Sequence, residues 1–222
     1  ENAEVIRIKL PEAIVTGWSE NVTGEQEADI TAAIHKAAAV VIGPGLGQEA
    51  GAERLLDLVL QEAEKLPELP VVIDADGLNL LAKKRLYSTL GRQYVLTPHL
   101  REMSRLSGKS VQEIADDMTS AVMGQQAGAT IVLKDARTLV SDGDWLYINL
   151  SGNSALSTGG SGDVLSGMIG GLLAQGCTQR TAATLAVYMH GLTADQYCES
   201  APPHCMLARD ILEMIPKIGG NS

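Results

Sequence analysis

Four short apolar runs, each stopped by a turn or polar residue and separated from the next by helix-period sequence, restrict this chain more than any other feature. They are Ala39-Val40-Val41-Ile42-Gly43, Val71-Val72-Ile73-Asp74, Tyr94-Val95-Leu96-Thr97 and Thr130-Ile131-Val132-Leu133-Lys134. Runs this short without polar alternation read as strands covered on both faces. Between the first two, residues 53–66 put Leu55, Leu56, Val59 and Leu60 on one face opposite Glu62 and Lys65, and Pro67 and Pro70 end the helix. A short helix is expected over 78–81. Another opens on the capping-box pattern Ser110-Val111-Gln112-Glu113 and runs to about Gln126, with Gly128 beyond its end. Strands alternating with helices are βαβ units, so the chain is expected to be α/β, with a mostly parallel central sheet covered by helices.

The flanks carry weaker patterns. Residues 6–10 and 13–16 alternate loosely and suggest a strand and its connection; 28–39 read as an Ala-rich helix. Residues 138–141 and 145–149, joined by Asp142-Gly143-Asp144, form a hairpin pattern. From Gly162 onward only helices are expected, over 164–175, 180–198 and 206–215. With no repeat, linker or low-complexity run, residues 1–222 are expected to be one domain.

Charge and cysteine usage narrow the function. Seventeen Lys+Arg against 27 Asp+Glu leave a net charge of -10, which argues against a sequence-independent grip on nucleic acid or on anionic lipid. A small anionic ligand stays compatible, because backbone N–H groups bind phosphate without help from cations. Three scattered cysteines, Cys177, Cys198 and Cys205, form neither a disulfide framework nor a zinc cluster, and a reducing, cytoplasmic compartment is the expectation. No apolar run approaches the roughly 18 residues of a membrane span.

In parallel sheets ligands bind beyond the carboxyl ends of the strands, and four features sit there. Gly43-Pro44-Gly45-Leu46-Gly47 can turn tightly and approach a ligand closely, although a plain strand-to-helix turn would look the same. In Asp74-Ala75-Asp76-Gly77-Leu78-Asn79, Asp76 is placed to cap the next helix, and Asp74, at the strand tip, is free to face a ligand or a hydrated metal. His99 is fixed after the third strand by Pro98, although by itself a lone histidine there reads as structural. The strongest feature is Thr158-Gly159-Gly160-Ser161-Gly162-Asp163, followed at once by the helical pattern Val164, Leu165, Met168 and Ile169. Small residues before a helix start leave amides free with the helix dipole behind them, and Asp163 adds a carboxylate suited to a general base. The loop is neither a Walker A nor a GxGxxG sequence. Lys134-Asp135-Ala136-Arg137-Thr138, after the fourth strand, is a turn that could wrap a nucleotide.

In this order the segments resemble the ribokinase-like superfamily, a three-layer α/β/α fold with a small hairpin near 137–149. More narrowly they resemble the ADP/ATP-dependent NAD(P)H-hydrate dehydratases. The resemblance rests on Val41-Ile42-Gly43-Pro44-Gly45-Leu46-Gly47, Val72 to Asn79, Leu96-Thr97-Pro98-His99, Ile131 to Lys134, Gly159 to Met168, Ala186 to Asp195 with His190-Gly191, and Met206 to Asp210, and covers about residues 40–215. It implies dehydration of hydrated NADH or NADPH: ADP or ATP phosphorylates the substrate hydroxyl and phosphate is then eliminated. Asp163 would be the base, lying against the hydrate. Gly160, Ser161 and Gly162 would form the anion hole, with Gly162 also near the nucleotide. Lys134, Asp135, Ala136, Arg137 and Thr138 would hold the adenine nucleotide. Gly45, Gly47 and His99, with Asp74 and Asn79, would contact the hydrated dinucleotide. Mg²⁺ would ride on the nucleotide phosphates, with no protein-only metal site.

A homo-oligomer is implied, and an epimerase domain or protein is a possible partner. The alternatives are a vitamin-precursor kinase of the same superfamily and a nucleotide-binding module without catalysis. Three departures from the family pattern stand out. Leu100-Arg101-Glu102 follows His99 where Pro-Gly-Glu is common, Asp135 stands where glycine is common, and the resemblance implies an earlier strand and glycine-rich loop before Glu1, so that either the chain is a fragment or part of the site wall is expected to be missing.

Overall fold

The computed structural model describes residues 3–18, 22–124 and 128–218. All four apolar runs are parallel strands: β1 (Val40–Ile42), β2 (Val71–Ile73), β3 (Tyr94–Leu96) and β4 (Thr130–Leu133). The hairpin follows as β5 (Leu139–Ser141) and β6 (Leu146–Ile148). It is joined to the sheet because β5 also pairs antiparallel with β4. Strand order in the six-stranded sheet is simply β1-β2-β3-β4-β5-β6.

That order dictates the layers. Successive crossovers of one hand, always stepping in one direction, put all their helices on one face of the sheet. These are α3 (Ala50–Lys65), α4 (Ala75–Lys84), α5 (Leu100–Ser107), α6 (Val111–Asp116) and α7 (Met118–Met123). On this side Ile42, Ile73, Leu96, Ile131 and Leu133 pack against Leu56, Leu81, Met103 and Ile114. The alternate residues Val72, Val95, Val132 and Val140 face the other way. They are covered by α8 (Ser161–Ala174) and α9 (Gln179–Tyr197) through Leu165, Ile169, Ala183 and Val187. The result is a three-layer α/β/α arrangement whose core is aliphatic on both faces. A last helix, α10 (Ala208–Met214), packs its Ile211 into a small cluster with Ala155, Ala194 and Met206.

Several local expectations change. Residues 6–10 are not a strand: 6–9 belong to α1 (Ala3–Lys9), which buries no residue, and Leu10 follows its end. A lone strand would leave its backbone groups unpaired, whereas a helix pairs its own, and Glu4 in the first turn with Arg7 and Lys9 in the last suits the dipole. The Ala-rich helix is α2 (Gly24–Lys36), starting earlier than expected because Thr23 and Gln26 form a capping box. The helix expected from Ser110 is broken. Asp117 (φ -144°, ψ 74°) leaves helical geometry after α6 and takes the Ser120 amide to start α7. The end expected at Gln126 lies outside the described residues. The helix α5, which the apolar pattern did not announce, is opened by His99, whose Nδ1 accepts from the amides of Arg101 and Glu102.

Candidate phosphate and dinucleotide site

The carboxyl ends of β1 to β4 deliver Gly43, Asp74, Thr97 and Lys134 to one edge of the sheet, with the start of α8 lying over them. Asp74 is almost wholly buried. Its Oδ1 accepts from Lys134 Nζ at 2.8 Å and its Oδ2 from Ser166 Oγ at 2.5 Å. Asp74 therefore does not stand free at the strand tip. Both its oxygens are committed, and its role here is to anchor the Lys134 ammonium. The chain turns sharply behind it: Ala75 has φ +47°, strain of about 1 kcal/mol that the surrounding packing maintains. Asp76 does not cap α4. Its carboxylate accepts from the Gly47 amide and from Gln48 Nε2, both at 3.0 Å, and so clamps the loop carrying Gly45 and Gly47.

Gly162 sits against the ion pair. A Cβ there would lie 3.3 Å from Lys134 Nζ and 4.0 Å from Asp74 Oδ2. The α8 start thus gathers three sources of positive potential: the ammonium, the helix dipole and free amides. Ser161 N donates to Thr158 O, and Val164 N donates to Gly160 O. Among the described residues the amides of Gly160, Gly162 and Asp163 have no acceptor. Asp163 is exposed, and among the described residues its carboxylate has no hydrogen bond or ion pair. The site therefore holds one uncommitted acid beside several uncommitted donors.

Gly160, the residue before α8, has φ +85°, and a Cβ would lie 3.2 Å from that of Ala208. A β-branched residue in that conformation must move the loop and misdirect its amides. Gly160→Val is therefore expected to lower turnover about 100-fold, the scale of a lost oxyanion donor. Steady-state rates on a variant with wild-type circular dichroism check this, and full activity would reduce the loop to a turn.

The turn from Lys134 to Thr138 links β4 to β5 beside this site. Asp135, Ala136 and Arg137 are exposed, while Thr138 is half-buried and its carbonyl accepts from Asn149 N. Asp135 meets water, where its charge is screened. His99 is drawn alongside Lys134 because the β3–β4 ladder continues to them as an isolated bridge, with Lys134 N donating to Pro98 O at 2.8 Å. Its ring is tied to Glu102, whose carboxylate also takes the His99 amide, so Leu100-Arg101 falls in a first turn that keeps its acid. Asn79 lies one turn beyond Asp76 on α4, accepts from Arg105 Nη1 at 2.8 Å, and shares an open groove of about 470 Å³ with Gln48, the neighbour of Gly47, and with Ala82 and Lys83.

The sequence reading gave the supports no role: it included His190 and Asp195 only in a resembling segment. Asp195 on α9 holds the loop before the site by accepting from Gly152 N and Asn153 Nδ2. His190, also on α9, is buried against Ser161. Burial pushes its imidazole down to about 4 from the ordinary 6.5; the Ser161 backbone opposes the shift and Lys134 adds to it. The folded protein therefore binds this proton less readily than the unfolded chain. The stabilisation is complete above pH 6.5 and is lost as pH falls to about 4, a change of ~3 kcal/mol. Urea unfolding between pH 7 and 4 is expected to show this loss, with a shallower slope in His190→Gln; equal slopes would contradict it.

Comparison with known proteins shows the family. The family model described as NAD(P)H-hydrate dehydratase matches residues 1–217. An ADP-dependent (S)-NAD(P)H-hydrate dehydratase of Neisseria meningitidis serogroup B is 42% identical over 198 residues, 86% of this chain and 65% of the relative. The chain thus spans somewhat under two thirds of that curated relative's length. A ribokinase-like superfamily protein of Enterococcus faecalis superposes with TM-score 0.85 at 30% identity, over 98% of this chain and 72% of that one. The ADP/ATP-dependent NAD(P)H-hydrate dehydratase of Bacillus subtilis, co-crystallised with ATP/Mg²⁺, gives TM-score 0.72 at 28% identity, over 97% of this chain and 74% of that one. With a family model matched over nearly the whole chain, a relative 42% identical and a ribokinase-like architecture, this chain belongs to the NAD(P)H-hydrate dehydratase family.

Proposed function

We propose that this chain dehydrates hydrated NADH or NADPH at the expense of ADP or ATP. The observation that carries the reading is the α8 start, where the amides of Gly160, Gly162 and Asp163 are free, the Asp163 carboxylate is uncommitted, and Gly162 lies against the Lys134 ammonium. Asp163 takes the proton of the substrate hydroxyl as its oxygen attacks the terminal phosphorus, and the bond from phosphorus to the leaving nucleotide breaks. The amides and Lys134 stabilise the charge spreading over the phosphoryl oxygens. The substrate C–O bond then breaks with release of inorganic phosphate, and the neighbouring ring carbon loses a proton as the double bond returns. Gly45, Gly47 and His99 line the dinucleotide side, and residues 134–138 the nucleotide side.

Among the described residues no group of three or more His, Cys, Asp or Glu is placed to hold a metal, and Asp74 is committed to Lys134 and Ser166. These donors suit Mg²⁺ carried in on the nucleotide phosphates with water in its shell, where it would neutralise phosphoryl charge. Assembly of like copies, an epimerase partner and a cytoplasmic location complete the reading. Among the described residues no helix is long and apolar enough to cross a membrane. The test is nucleotide-dependent recovery of NADH absorbance from its hydrate, with inorganic phosphate released in equal amount. Accumulation of a phosphorylated alcohol without dehydration would point to a kinase, and nucleotide binding without turnover to a binding module.

A further inference from the structure

His190 belongs to α9, yet the polar contacts of its ring fall on the first residue of α8. Its Nε2 lies 3.2 Å from Ser161 Oγ and 3.1 Å from the Ser161 carbonyl oxygen, and both residues are buried. A carbonyl oxygen only accepts, so the two ring tautomers are not equivalent. With its hydrogen on Nε2, the ring donates to the carbonyl and shares that hydrogen with the hydroxyl oxygen. With the hydrogen on Nδ1, the Nε2 lone pair would face the carbonyl oxygen at 3.1 Å in a place shielded from water, an unfavourable contact. In the favoured tautomer Ser161 Oγ is an acceptor, and its own hydrogen remains for another group.

We propose that His190 is a positioning residue of the phosphate site. Carrying its hydrogen on Nε2, it ties the Ser161 carbonyl to α9, fixes the direction of the neighbouring loop amides, and leaves the Ser161 hydroxyl hydrogen for a phosphoryl oxygen. The inference rests on reading the α8 start as the phosphate site. Two further facts support it. Burial keeps the ring neutral at pH 7, so it has a single hydrogen to place, and Lys134 works in the same direction. Five residues along α9, Asp195 grips Gly152 and Asn153, so one helix holds the chain on both sides of the glycine loop.

Two measurements decide it. Ring-nitrogen NMR of ¹⁵N-histidine-labelled protein at pH 7, with His190→Gln to assign the signal, should show Nε2 protonated and Nδ1 bare. The opposite pattern overturns the proposal. In turnover assays, Gln can place an amide hydrogen near the Nε2 position, whereas Leu cannot. His190→Gln should lose less than about five-fold in kcat, while His190→Leu should lose about 100-fold with KM nearly constant. Equal kcat values in the two variants would overturn the positioning role, as would a loss confined to KM. Should the Leu variant fail to fold, the Gln variant and the ring spectrum still decide: a large kcat loss in Gln, or an Nδ1-bound hydrogen, overturns the role. Absence of hydrate turnover in the wild type would sink the dehydratase reading separately, and the spectrum would still settle the tautomer.

Discussion

Asp163→Asn is expected to lower kcat by about 10²–10⁴-fold, the usual contribution of a positioned general base. The nucleotide dissociation constant should stay the same or fall slightly, because the change removes a negative charge from beside a polyphosphate. The asymmetry follows from the geometry. Asp163 supports no neighbour: among the described residues its carboxylate has no hydrogen bond or ion pair, so Asn leaves the α8 turn and its amides as they are. Steady-state kinetics beside calorimetric nucleotide titration make the measurement. A variant with wild-type kcat would remove Asp163 from the chemistry. Parallel loss of nucleotide binding would recast it as a structural residue of the loop.

Gly43→Ala should be the most damaging single-methyl change in the site loops. Gly43 has φ +124°, a region closed to side chains, and a Cβ there would overlap the carbonyl oxygen of Asp74. That oxygen already accepts from Gly77 N, so it cannot simply move aside. Strain and overpacking together suggest a loss of about 3 kcal/mol or more. Gly45→Ala is the control: its φ is also positive, at +64°, but nothing lies within 4 Å of the added carbon, so roughly 1 kcal/mol of backbone strain is expected. Urea denaturation of both variants tests the contrast. Equal losses would mean that the β1–β2 tips are looser than the packing indicates.

The strands were legible because a parallel strand buried on both faces has nothing polar to show, as 71–73, 94–96 and 130–133 confirm. The run 40–42 carries the same apolar signature, yet it lies at the end of the strand order, with Val40 half-buried and Val41 exposed, so it is not covered on both faces. The glycine loop and Asp163 were legible for a related reason, since free amides and a helix start are properties of adjacent residues. Alternation misled at Ile6 and Ile8, where two apolar residues cannot separate a strand from a one-sided helix. The helix α5 stayed hidden because its N-cap is His99, a side chain rarely read as a cap, and the break at Asp117 was masked by a second aspartate before it. The supports of the site could not be read locally. Lys134 and Asp74 are 60 residues apart, Ser166 and Asp74 are 92 apart, and His190 and Ser161 are 29 apart. Only the folded sheet puts the tips of β2 and β4 under one helix start. Asp76 was misassigned because its position suits a cap equally well, and its true partner, the Gly47 amide, comes from the preceding crossover.

Where the transferable phosphate rests is the most direct question to put to this protein. A crystal structure with bound nucleotide and Mg²⁺ should place a terminal phosphate oxygen about 3 Å from the amides of Gly160, Gly162 or Asp163, with the Asp163 carboxylate on the side open to a second substrate. A terminal phosphate seated elsewhere, with those amides still unpaired, would contradict the account.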